Sequence, residues 1–88
     1  MEKVELKVSS KTNPSSLAGA IANLLKEGKT INIKTIGAGA LNQAMKGITI
    51  AKGFVVVQGI DIICVPSFYS TQIDGEEMSA IMILVERK

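Results

Sequence analysis

Few residues in this chain are equipped for covalent or acid–base chemistry, and none of them stands beside a partner that would activate it. There is no histidine anywhere in the 88 residues, which removes the commonest general base near neutral pH and the commonest metal ligand. The serine pairs Ser9-Ser10 and Ser15-Ser16 therefore have no imidazole to take their protons. Cys64 is the only cysteine and lies between Ile63 and Val65, the setting of a buried, unreactive thiol. Asp74, Glu76 and Glu77 cluster beside Gly75, as the carboxylates of a solvated turn do. No catalytic residue, metal site or cofactor is expected, and the chain reads as one that binds rather than catalyses.

The residues suited to binding are amide and ammonium donors at two places. Lys11-Thr12-Asn13-Pro14 reads as a helix start, with Asn13 as the cap and Pro14 at the first helical position. Gly37-Ala38-Gly39-Ala40, followed by Leu41, Asn42 and Gln43, reads as a second. Each start should offer unpaired backbone N–H groups and a positive dipole end to an anion such as phosphate. Lys11 and Lys46 add charge, Asn42 and Gln43 add amide donors, and Gly37 and Gly39 let a ligand approach the backbone. The same glycines also suit a tight turn with close helix packing. The stretch is not a dinucleotide fingerprint, because Asn42 stands where the third glycine belongs, and no Gly-Lys-Ser/Thr follows to make a phosphate loop.

The elements that must position these residues follow from periodicity. Residues 2–8 alternate, with Val4, Leu6 and Val8 against Lys3, Glu5 and Lys7, a strand with one wet face. Leu17, Ile21, Leu24 and Leu25 keep helical spacing over about 14–27, and Gly28 supplies a stop. A second strand is expected over 30–36. A second helix should run from the Gly-Ala-Gly-Ala break to Lys52 and end at Gly53, weakened by Gly47. Residues 54–59 are either extended or connecting. A third strand is expected over Ile60–Pro66 and a fourth over Met78–Glu86, with Asp74-Gly75 as a hairpin turn between them.

The order β-α-β-α-β-β defines a two-layer α/β domain over residues 1–88. Right-handed crossovers make the first three strands parallel, put both helices on one face, and leave the last strand antiparallel. Residues 9–14, 37–42 and about 67–77 should then meet along one edge, where ligands of open α/β sheets gather. The third and fourth strands are apolar on both faces: Ile62 and Cys64 against Ile63 and Val65, then Ile81, Ile83 and Val85 against Met82 and Leu84. A face left open by the helices suggests a homo-oligomer.

Apolar residues make up 47% of the chain, enough for a core and against disorder. The net charge of +2 is far from the footprint of a dedicated nucleic-acid binder. Aromatic side chains are only 3%, which argues against single-strand recognition by base stacking. The lone cysteine and the absence of a signal core or spanning apolar run point to a cytoplasmic protein without membrane contact.

Three stretches carry a resemblance. Ile36-Gly37-Ala38-Gly39-Ala40-Leu41-Asn42-Gln43-Ala44, then Ala51-Lys52-Gly53-Phe54, then Gln72-Ile73-Asp74-Gly75-Glu76-Glu77 resemble the stage V sporulation protein S family, and the likeness runs from Leu6-Lys7-Val8 to the last strand. That family is similar to the Alba superfamily of archaeal chromatin proteins. The resemblance implies an Alba-like fold, a homodimer, and DNA or RNA binding by a basic loop before the first helix, basic residues at the second helix start, and a hairpin arm. By position these fall on Lys11–Pro14, on Gly37–Gln43 and on about Phe68–Met78. Only one lysine of the Alba-like pair is present, Ile36 and Ala38 stand where arginines flank the Alba glycine, and the arm tip is acidic. The resemblance implies a role in regulating sporulation and spore-coat development. Three readings stay open: a nucleic-acid-binding regulator using Lys11, Thr12, Asn13, Gly37, Gly39, Asn42, Gln43 and Lys46; a protein–protein adaptor; and a binder of a small anion at Gly37–Asn42.

Overall fold

The computed structural model describes residues 2–88. Strand β1 (Lys3–Val8) leads through helix α1 (Pro14–Lys26) to β2 (Thr30–Thr35). Helix α2 (Ala38–Val55) and a single 3-10 turn (Val56–Gln58) then lead to β3 (Ile62–Ile73) and β4 (Glu76–Arg87). The four strands form one sheet in the order β1-β2-β4-β3. β1 and β2 run parallel, and β4 is antiparallel to both of its neighbours, so the first three strands share a direction, as strands joined by single crossover helices do.

Both helices cover the same face of the sheet. Val8 of β1, Ile31 and Ile33 of β2, and Ile83 and Val85 of β4 form one core with Leu17, Ala18, Ile21 and Leu25 of α1 and Ala44, Ile48 and Ala51 of α2. The helices are in close contact at Gly47, where a Cβ would lie 2.6 Å from Leu17 Cδ2 and 3.2 Å from its Cβ. Gly47 therefore permits this approach of Leu17, although in propensity it only weakens a helix.

Three elements run longer than periodicity suggests. α2 passes through Gly53 to Val55, because Val55 is fully buried in a small cluster with Ala22 and Ile60. Gly59, at φ 76°, ends the following turn. β3 begins at Ile62 and passes through Pro66 to Ile73, which an edge strand allows because a missing N–H there need not break a ladder. β4 likewise extends from Glu76 to Arg87. Asp74 and Gly75, at φ 53° and 80°, close the hairpin in the mirror-image turn that fits twisted strands.

The last rung joining β4 to β2 is Thr35–Ile81. Beyond it, Tyr69–Ile73 and Glu76–Ala80 pair only with each other, so the hairpin continues as a two-stranded arm. Twelve residues per strand, at about 3.3 Å each, account for the 44 Å long dimension of the molecule.

The exposed apolar residues are not simply those of the uncovered sheet face. Ile63, Met82 and Leu84 there are half-buried and Val65 is exposed. On the helix-side row of β3, Phe68 is 81% exposed and Pro66 is also exposed. This row overhangs the helix layer, because β3 lies at the far edge of the sheet. No helix among the described residues is long and apolar enough to cross a membrane.

Candidate nucleic-acid interface

The two helix starts lie at one edge of the sheet and in contact. Gln43 Nε2 donates to the carbonyl of Thr12 at 2.9 Å, and a Cβ on Gly39 would meet Ser10 Cβ at 3.0 Å. The loop after β1 is thus laid on the first turn of α2, and Gly39 permits the approach. The loop is also tied internally. Ser9 N–H donates to Thr12 Oγ1 at 2.9 Å, Thr12 N–H returns to the Ser9 carbonyl at 3.1 Å, and Lys11 N–H donates to Ser9 Oγ at 3.1 Å. Held this way, the Lys11 side chain stands exposed and without an ion pair among the described residues.

The starts differ in what they leave free. At α1, Asn13 Oδ1 accepts from Ser15 N–H at 2.9 Å and from Ser16 N–H at 3.1 Å. Leu17 N–H donates to the Asn13 carbonyl, and Pro14 has no N–H. The Ser15 and Ser16 amides expected there for an anion are therefore engaged by the protein's own cap, which corrects the expectation of two open starts. At α2, Gly37 has no side chain to cap with, at φ 91° and ψ 159°. Leu41 N–H takes the Gly37 carbonyl. The amides of Ala38, Gly39 and Ala40 have no side-chain cap.

Between the start of α1 and the body of α2 runs a shallow groove of about 410 Å³ lined by Pro14, Ser15, Asn42, Met45, Lys46, Thr49 and Ile50. Asn42 and Lys46 belong to it, whereas Gln43, bonded to Thr12, holds the loop in place. The base of the hairpin also reaches this edge. Phe68, Ser79, Ala80 and Ile81 share a second cleft with Thr35, Gly37, Ala38 and Leu41. The arm beyond carries three carboxylates, Asp74, Glu76 and Glu77, and no lysine or arginine.

Cys64 is half-buried, and burial raises its pKa, which keeps the thiol protonated near neutrality. One neighbour escaped the sequence reading. Lys34 Nζ lies 5.3 Å from the ring centre of Tyr69 and 3.0 Å from Glu5 Oε1. Alternation places Lys34 on the wet face of β2, but nothing local indicates that an arm residue crosses β4 to reach it.

These features define a two-layer α/β fold with paired helix starts at one edge and a free hairpin arm. The family model of stage V sporulation protein S (SpoVS) matches residues 4–88. The chain belongs to that family and is a sporulation-associated protein.

Proposed function

We propose that this chain is a non-enzymatic, cytoplasmic regulator that binds DNA or RNA backbone phosphates at the helix-start edge and works as a homo-oligomer. The observation that carries the reading is the uncapped start of α2 set against the loop that presents Lys11. The amides of Ala38–Ala40 supply donors, Asn42 and Lys46 line the adjoining groove, and Lys11 supplies the second ammonium. Phosphate contacts supply most of the affinity in such binding. Two lysines per chain make it weak unless several subunits act together. The overhanging Pro66–Phe68 row is the surface on which copies would associate, since an 81% exposed phenylalanine is costly to leave in water.

The test is fluorescence anisotropy with labelled duplex DNA and single-stranded RNA at two salt concentrations. Binding should weaken with salt and fall further in Lys11→Glu and Lys46→Glu. Absence of binding at tens of micromolar protein, roughly the weak end of nonspecific affinity, would overturn it. The second reading, a protein–protein adaptor acting through Phe68 and Pro66, would then take its place.

A further inference from the structure

On the sheet face opposite the helices, a cleft of about 220 Å³ is lined by Glu5, Lys7, Val8, Lys34, Ile36, Tyr69 and Thr71. Lys7 and Lys34 are direct partners in the β1–β2 register, so two ammonium-bearing side chains leave neighbouring strands about 4.8 Å apart. Like charges placed opposite each other in a sheet disfavour it. Glu5 relieves only one of them, through its 3.0 Å contact with Lys34. Lys7 has no ion pair among the described residues, and the side-chain hydroxyls of Tyr69 and Thr71 take part in no hydrogen bond described there. One wall of the cleft is the base of the hairpin arm, where Ala80, the register partner of Tyr69, is small enough to let the ring cross β4 and sit over Lys34.

We propose that this cleft is a phosphate-class anion site, in which Lys7, Lys34 and the hydroxyls of Tyr69 and Thr71 hold one anionic group between the sheet and the hairpin arm. The cleft holds two ammonium groups against one carboxylate, so an incoming anion balances the surplus charge on Lys7, and the hydroxyls donate to its oxygens. Because Tyr69 and Thr71 belong to the arm and Lys7 and Lys34 to β1 and β2, the bound anion also fixes the angle of the arm. The site does not use the helix-start edge and stands or falls separately from it.

The test is a titration of isotope-labelled protein at constant ionic strength, following amide resonances of Lys7, Lys34, Tyr69 and Thr71. One arm uses sodium pyrophosphate and the other a short DNA duplex. Saturable shifts at these four positions are expected, with affinity reduced about fivefold in Lys7→Gln, the scale of one partly screened ion pair. Thr71→Val should reduce it by a smaller factor, and Lys52→Gln, at an exposed position of α2, should leave it unchanged. Saturation by pyrophosphate alone would identify a free phosphorylated small molecule, and saturation by the duplex only would identify a backbone phosphate; either supports the site. Shifts that stay linear with both probes, or a Lys7→Gln variant that titrates like the wild type, would overturn it. Loss of edge binding in Lys11→Glu with the cleft intact would separate the two sites.

Discussion

The two helix starts lie side by side, yet they solve the same problem in opposite ways. α1 opens with a polar side chain and an imino acid. Asn13 turns its carbonyl oxygen onto two amides, and Pro14 brings none. α2 opens with Gly37, in a conformation outside the usual range of other residues, and leaves its first amides without a side-chain partner. A capped start stabilises the helix and gives up the anion site, whereas an uncapped start does the reverse. Two crossover helices of one sheet therefore differ in capping through a single position each.

Perturbations of the helix pairing should break this comparison most strongly. Gly47→Val drives a branched side chain into Leu17 and spreads the helices that carry the two starts. A loss of about 3 kcal/mol is expected, at the upper end for overpacking, read as a lower midpoint in urea. Next come the starts themselves. Gly37→Ala forces a Cβ into the φ 91° conformation and should cost about 2 kcal/mol. Asn13→Ala removes a cap and should cost about 1 kcal/mol. The measurement is the same urea titration, and equal losses would mean that the starts are equivalent after all.

The smallest effect belongs to a position remote from both starts. Lys29 lies 2.9 Å from Glu27 and 4.0 Å from Glu2, and its pKa is raised first by the hydrogen bond to Glu27 and then by the charges of Glu2 and Glu27. A pKa raised in the native state contributes stability that is complete below the unfolded value, about 10.4, and fades as pH rises through the native value. Lys29→Met should differ slightly from wild type at neutral pH and converge on it in strong alkali, as thermal melts across that range would reveal.

Much of the fold is legible in local sequence. Asn13-Pro14 marks the start of α1 within two residues, and Asp74-Gly75 marks the hairpin through conformations that few other pairs adopt. The ends of α2, β3 and β4 were less legible. Gly53 and Pro66 look like stops, but the burial of Val55 against Ala22 and Ile60 carries the helix onward, and the edge position of β3 makes Pro66 tolerable. At the candidate edge the residue types were readable but their assignments were not. Asn13 and Gln43 have the chemistry of ligands, and each also uses one polar atom, Asn13 Oδ1 and Gln43 Nε2, on the protein's own backbone.

The sequence by itself determined the element order, the hairpin turn and the family, because each rests on interactions within a few residues or on a recognisable run of them. Only the tertiary structure decided that β4 inserts between β2 and β3, that β3 overhangs the helices with Phe68 exposed, and that Gly47 seats against Leu17. It alone brought Tyr69 over Lys34 and Thr12 to Gln43. Those outcomes depend on which apolar surfaces meet and in what register, a choice made by burial between residues far apart in the chain. No local pattern encodes that choice.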